Sequence, residues 1–271
     1  MGVSTVSEQA LDPHKVTVVI PAFGLVALTQ GVVGTLMEQA TGKVIVVDNG
    51  GDYEAIGTER VITPRENLGW LRGTNTGSSA ALAAGADAVL WLNNDVRVSR
   101  DFVRNMAEAV TGETGVVAPA YDQHVPNQRR GFYGPAGEYE PQPKDHQVSA
   151  ADGTALLVTA PVLRTIGLLD ERAFCRHGWG AIEDFALRLK SNGHTFVVTE
   201  RAYINHESRV TAKLVHGAYE GAARAEMWLG MRAKYGADWK RNFPDMGFEV
   251  DEKFAYLRHR KRALSYALKH A

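Results

Sequence analysis

Cysteine is almost absent from this 271-residue chain: Cys175 stands alone. That excludes an internal disulfide and a cysteine-based zinc site, and beside Phe174 the thiol reads as packing rather than as a nucleophile. No stretch approaches the roughly 20 apolar residues of a membrane span. The first fifteen residues lack the apolar core of a secretory signal, and Val6 occupies the position where myristoylation needs Ser or Thr. An excess of either charge is missing too. Thirty Lys and Arg against 31 Asp and Glu leave a net charge of −1, without the concentrated positive charge that nucleic-acid binding requires. No GxGxxG follows the first predicted strand, and neither GxxxxGKS nor GxxxxGKT occurs, so the usual phosphate loops of dinucleotide and P-loop enzymes are gone. A hydrophobic share of 45% rules out a disordered chain and is enough for a core that needs neither metal nor disulfide. The expectation is a cytoplasmic protein.

What is present alternates regularly. Val16 to Ile20 is β-branched and apolar, closed by Pro21, and reads as a buried first strand. Leu25 to Ala40 has helical spacing at Leu28, Val32 and Leu36. Lys43 to Val47 is a second strand stopped by Asp48-Asn49-Gly50-Gly51, and Val61 to Thr63 a short third. Gly69 to Ala84 is a helix of small residues, and Val89 to Leu92 a fourth strand ending in Asn93-Asn94-Asp95. Repeated strand–helix–strand units predict right-handed crossovers and an α/β fold with a mainly parallel sheet. Ligands gather beyond the carboxyl ends of such strands, where both polar clusters fall.

Further along, Val116 to Pro119, Thr154 to Thr159, Phe196 to Val198 and Ala202 to Ile204 read as strands. Pro161 to Gly167 and Ile182 to Asn192 read as helices. Tyr121 to Ala150, rich in Pro, Gly, Gln and charge, reads as a long loop or mobile insertion. Two terminal helices are expected, Thr211 to Tyr235 and a basic one from Glu252 to His270. The basic helix has three readings: a cover over the core, a homodimer contact, or a membrane-surface element giving the protein a peripheral location beside an anionic lipid-linked acceptor.

Three patterns carry chemistry. Glycines at 69, 73 and 77 line one helical face and allow close approach of a ligand or a neighbouring backbone. Oxygen-bearing side chains at Asn93 and Asp95, two apart on an extended segment, can point at one hard cation, and His206 beyond a later strand could add a ligand. Glu183 and Asp184 open a helix, but successive helical residues diverge by about 100°, so the two carboxylates cannot serve one point. Asp184 also stands four residues before Arg188, the spacing of an ordinary helical ion pair.

The order of these segments resembles the inverting nucleotide-sugar-dependent glycosyltransferases of family 2, particularly the rhamnosyltransferase- and galactofuranosyltransferase-like branch. The matching pieces are Val18-Val-Ile-Pro-Ala22, Val46-Val-Asp48-Asn49, Asn67-Leu-Gly69-Trp with Gly73-Thr-Asn75-Thr-Gly77, and Leu92-Asn-Asn-Asp95-Val. Asp152-Gly153-Thr-Ala-Leu-Leu, Ile166-Gly-Leu-Leu-Asp170-Glu171, Glu183-Asp184-Phe-Ala-Leu-Arg188, Gly193 and His206 complete the set.

The resemblance implies a GT-A fold: a Rossmann-like sheet flanked by helices over residues 15–210, with a nucleotide-binding half to about 120 and an acceptor half from 121 to 210. Residues 1–14 would precede it, and 211–271 would form a helical extension. It implies Asp48 as the reader of a uracil or thymine N3–H, and hence a UDP- or dTDP-sugar donor. Pro21, Ala22 and Asn49 would touch the nucleoside. Asn67, Gly69, Asn75 and Asn94 would close over the nucleotide, and Arg72 would offset diphosphate charge. Asp95, with His206 and Asn93, would hold Mn²⁺ or Mg²⁺. Asp184 would be the general base, with Glu183 orienting the acceptor or the helix. Trp179, His177 and Asp152 would face the acceptor, which is a glycan, a lipid-linked glycan, a small molecule or a protein.

One departure from the family pattern stands out. Neutral Asn93 and Asn94 replace acids, so divalent metal should bind well only alongside the diphosphate. The competing readings are a retaining GT-A transferase and a non-catalytic sugar-nucleotide or glycan-binding module, the latter favoured by those same two asparagines.

Overall fold

The computed structural model describes residues 11–39, 42–122, 125–174, 176–206 and 219–248. The first half runs β1 (Val16–Ala22), α1 (Val26–Glu38), β2 (Lys43–Asp48), β3 (Arg60–Ile62), α2 (Gly69–Ala83), β4 (Ala88–Leu92), β5 (Val96–Val98) and α3 (Phe102–Glu108). The second runs β6 (Thr114–Tyr121), β7 (Asp145–Val148), β8 (Ala155–Thr159), α4 (Ala160–Ile166), α5 (Ala181–Ser191), β9 (Thr195–His206) and α6 (Tyr219–Tyr235).

The strands form one sheet in the order β3-β2-β1-β4-β8-β6-β9-β5, with β7 added on β9. From β3 to β4 every pairing is parallel. Beyond β4 the sheet is mixed: β8 runs antiparallel between β4 and β6, β6 and β9 are parallel, and β5 and β7 each run antiparallel to β9. The expected mainly parallel sheet therefore describes the first half, and β8 marks the change.

Burial on both faces explains the strand sequences. Along β1 and β4, Val18, Ile20, Leu90 and Leu92 enter one core cluster. The alternating Val19, Val89 and Trp91 enter another. A strand covered on both sides needs apolar residues at every position, which is why these segments read as unbroken hydrophobic runs. Helices α1 and α3 cover the first face through Val32, Val33, Leu36, Phe102, Val103 and Met106. Helices α2, α4, α5 and α6 cover the second through Leu71, Val162, Phe185, Leu189 and Met231.

Several expectations are corrected. Phe196 to Val198 and Ala202 to Ile204 are one strand, β9, because no turn residue interrupts them and β7 pairs along Phe196 to Thr199. The Tyr121 to Ala150 stretch is neither structureless nor detached. Asn127, Gln128, Ala136 and Tyr139 are buried, Phe132 and Tyr139 pack on Tyr203 with ring centroids 4.9 Å apart, and β7 joins the sheet. The long C-terminal helix is described from Tyr219. The basic 252–270 helix and Cys175 lie outside the described residues. No helix among the described residues is long and apolar enough to cross a membrane.

Candidate active site

The topology gathers polar residues on one edge. β1, β2, β4, β6 and β9 point the same way, so Ala22, Asp48, Leu92, Tyr121 and His206 end on one rim. Antiparallel β8 starts there, with Ala155 opposite Leu92, and β5 starts there, with Val96 opposite His206. Pairing alone thus brings Asn93, Asp95, Thr154 and His206 together from three places in the chain.

At this rim Asp95 Oδ1 and His206 Nε2 lie 3.0 Å apart, both largely buried. His206 Nδ1 lies 2.7 Å from the hydroxyl of Tyr121, which is also 3.3 Å from Thr154 Oγ1. Burial, followed by the charge of Asp152, pushes the Tyr121 phenol far above its ordinary range, so it stays protonated. A protonated phenol donating to Nδ1 leaves the imidazole hydrogen on Nε2, facing the Asp95 carboxylate. Tyr121 was missed in the sequence, where nothing distinguished a strand-end tyrosine. So was Asp122, which accepts from the His206 and Asn205 nitrogens.

The donor chemistry suits a hard divalent cation: a carboxylate oxygen and an imidazole nitrogen converge at the rim. Among the described residues no group of three or more His, Cys, Asp and Glu side chains could hold a metal. Asn93, expected as a third ligand, accepts a hydrogen bond from Trp70 Nε1 at 2.8 Å. Asn94, expected at the nucleotide, is buried and donates to Thr29 on α1. The protein thus offers two ligands, and an anionic substrate would have to supply others.

Glu183 and Asp184 have different surroundings. Asp184 is fully buried and paired with Arg188 Nε at 2.9 Å, Lys234 Nζ and the Tyr235 hydroxyl at 2.7 Å. A carboxylate so enclosed has no route to a substrate hydroxyl, and the expected base is corrected on that ground. Glu183 keeps part of its surface open, and no other described side chain is hydrogen-bonded to its carboxylate. Dense surroundings, followed by the nearby Asp152 charge, push its carboxyl up to about 7.

Glu183 also lies near the rim. A Cβ built on Gly153, one residue from Asp152, would stand 3.0 Å from Ile182 and 3.4 Å from Trp70. Asp152 itself accepts from Thr154 N at 2.9 Å and from its hydroxyl, and Thr154 O accepts from Asn93 N at 2.9 Å. Trp70 therefore wedges between the start of β8, the Gly178 turn before α5 and Asn93, a role that its sequence context did not announce.

The expected nucleotide residues divide. Pro21 and Ala22 end β1, and Ala22 O accepts from Asn49 N at 2.8 Å. Asp48 is 2% exposed and accepts from the backbone N–H groups of Gly50, Gly51 and Tyr53, so it shapes the loop instead of facing a base. Asn49 remains half-open, with Oδ1 accepting from Leu68 N. Asn67 Oδ1 accepts from Gly69 N, and Gly69 takes a φ of +71° with open space above it. Arg72 makes an exposed pair with Glu66.

Asn75 is corrected. It donates to Leu169 O and Glu171 and accepts from Leu169 N, which fastens α2 to the loop before Phe174. His177 is likewise turned away, buried on Glu226 of α6. Trp179 is half-open, with Arg224 5.5 Å from its ring. Phe23, which the sequence did not flag, is 40% exposed just past β1.

The architecture is that of the GT-A class. Over 91% of this chain it superposes with a TM-score of 0.60 on GalNAc-T7, solved with UDP, GalNAc and Mn²⁺, at 10% identity and spanning about half (54%) of that chain. Over 96% of this chain it superposes with a TM-score of 0.58 on the mannosyltransferase PcManGT from Pyrobaculum calidifontis, solved with GDP-Man and Mn²⁺, at 13% identity and 77% of that chain. At these identities the likeness is one of fold. No protein-family model matches the sequence. The chain belongs to the family of the uncharacterized proteins Rv1525 of Mycobacterium tuberculosis and Mb1552 of Mycobacterium bovis, each 38% identical over 222 residues, 81% of this chain and 85% of the relative.

Proposed function

We propose that the protein is an inverting glycosyltransferase that moves a sugar from a nucleoside diphosphate to an acceptor hydroxyl, with Glu183 as the general base. The observation that carries this reading is the meeting, on one rim of a GT-A sheet, of the Asp95–His206 pair with a partly open carboxylate shifted to about 7. A base poised near neutral pH takes a hydroxyl proton more effectively than an ordinary carboxylate, with a contribution of about 10²–10⁴ in rate. Glu183 would accept that proton as the acceptor oxygen attacks the anomeric carbon from the face opposite the leaving group.

Asp95 and His206 would hold Mn²⁺ or Mg²⁺, which supplies Lewis-acid neutralisation of the charge building on the departing diphosphate. Tyr121 can serve either His206 tautomer: its hydroxyl donates to Nδ1, or accepts from Nδ1–H when Nε2 would give its lone pair to a cation. The base preference is left without a carboxylate reader because Asp48 is spent on its own loop. The donor class is therefore a nucleoside diphosphate sugar, with UDP- and dTDP-sugars the first to test and GDP-sugars beside them.

The test is nucleoside diphosphate release with Mn²⁺ across that donor panel, together with NMR of the product's anomeric configuration. Glu183→Gln is expected to lower turnover by about 10²–10⁴ with UDP binding retained in calorimetry. Wild-type turnover in Glu183→Gln would remove the base assignment. Retention of configuration would favour the double-displacement or front-face class instead. Nucleotide binding without turnover of any donor would leave a binding module.

A further inference from the structure

The last turn of α6 lies outside the motifs that resemble family 2 glycosyltransferases, yet it grips the residue next to Glu183. Lys234 Nζ pairs with Asp184 Oδ1 and, at 2.7 Å, with Asp170 Oδ2. The neighbouring Tyr235 hydroxyl donates to Asp184 Oδ1. From α5 itself, Arg188 Nε donates to Asp184 Oδ2, while its terminal nitrogens donate to the carbonyls of Ile166 at 2.6 Å and Leu168 at 2.9 Å. Asp170 also accepts from the backbone N–H groups of Arg172 and Ala173. Asp184, with 0% exposure, is thereby tied to α6 and to the 166–173 loop at once.

Packing brings the same elements close. A Cβ on Gly180, the residue before α5, or on Gly230 of α6 would lie 2.6 Å from the Phe174 ring. Both backbones approach that ring only because they carry no side chain, which sets the first turn of α5 directly against α6. Without the lysine, the half-exposed carboxylate of Asp170 and the buried one of Asp184 would face each other with no cation between them, and their repulsion would act on the turn that bears Glu183.

We propose that Lys234 is a positioning residue: by holding Asp184 and Asp170 together it fixes the first turn of α5, and with it the direction in which Glu183 projects toward the acceptor. The proposal rests on Glu183 as the base. It makes α6 part of the catalytic domain rather than an appendage. Displacing a reacting group by an ångström can cost about a hundredfold in rate, so a clamp one residue away from the base acts on chemistry more than on donor affinity.

The full chain carrying Lys234→Met is compared with Lys234→Arg, Glu183→Gln and wild type. The assay is nucleoside diphosphate release from UDP-glucose, UDP-galactose, dTDP-rhamnose and GDP-mannose with Mn²⁺. Lys234→Met is expected to lower kcat by about tenfold or more with donor KM within about twofold, and Lys234→Arg to restore most of it. Hydrogen exchange should quicken about tenfold across residues 180–190 and stay unchanged in β1 and β4.

A Lys234→Met enzyme with wild-type kcat, or with faster exchange spread equally over β1 and β4, overturns the proposal. So does a loss that Lys234→Arg leaves unrepaired. If Glu183→Gln turns over like wild type, it is the base assignment that fails, and if no donor is used by any variant, it is the glycosyltransferase reading. The exchange data then decide on the clamp by themselves.

Discussion

Crowding a carboxylate raises the cost of ionising it, and Glu183 bears that cost. Asp184 is enclosed by Lys234, Arg188 and Tyr235. Among the described residues Glu183 has no such side-chain partner, and its dense surroundings push its carboxyl up to about 7. Its folded pKa lies above the value it has in an unfolded chain, so its contribution to stability is fully present below about pH 4.5 and is lost as pH rises to 7. Glu183→Gln removes that loss. The variant is expected to be more stable than wild type at pH 8, by about 1–3 kcal/mol, with the gap closing as pH falls toward 4.5. Urea melts at the two pH values measure it, and an unchanged gap would show that Glu183 is not the group being desolvated. The sequence had exposed the divergence of the two acids, and Arg188 four residues on had hinted which of them was structural. What it could not expose was Lys234, fifty residues away, whose arrival at Asp184 is a tertiary event.

Helix α2 shows how a whole element is placed for the site. Its glycine face lies on β1 and β2, and a Cβ on Gly77 would stand 2.3 Å from Val19 Cγ1 and 3.2 Å from Val47 Cγ2. Alanine gains up to about 1 kcal/mol in helix propensity, but overpacking a rigid sheet typically costs about 1–3 kcal/mol. Gly77→Ala is therefore expected to lower stability by about 1–2 kcal/mol and to disturb the rim, because Trp70, which holds Asn93, rides on the same helix. A denaturation midpoint at or above wild type would contradict this packing account.

That glycine face was legible in the sequence, as were β1, β2 and β4, whose two-sided burial leaves unbroken apolar runs. β5, α3 and β7 were not. Val96 to Val98 and Asp145 to Val148 are too short to show a period, and each exists because β9 pairs with it. The same absence of local signal hid the folding of 121–150, where burial of Tyr139 against Tyr203 depends on a strand sixty residues away.

Across the whole molecule, the sheet order would make metal and nucleotide one binding problem for the proposed glycosyltransferase. β4 and β9 are far apart in sequence, yet only β8 and β6 separate them, and the β5 pairing folds Asp95 back beneath His206. The two proposed ligands already hydrogen-bond to each other, so a cation would first have to break the Asp95–His206 contact. Two ligands with a single negative charge hold a divalent ion weakly, and the diphosphate oxygens of a donor would add both ligands and charge. Linkage then requires that whatever factor UDP adds to Mn²⁺ affinity, Mn²⁺ adds to UDP affinity, typically about 5–150-fold. Calorimetric titration of Mn²⁺ with and without UDP, and of UDP with and without Mn²⁺, is expected to give matching factors within that range. Asp95→Asn should abolish the coupling while sparing metal-free UDP binding, since the neighbouring Asn93 and Asn94 are committed to Trp70 and Thr29. Equal Mn²⁺ affinity in the presence and absence of UDP would mean that the rim pair is a structural bridge between β5 and β9 and that any cation binds elsewhere.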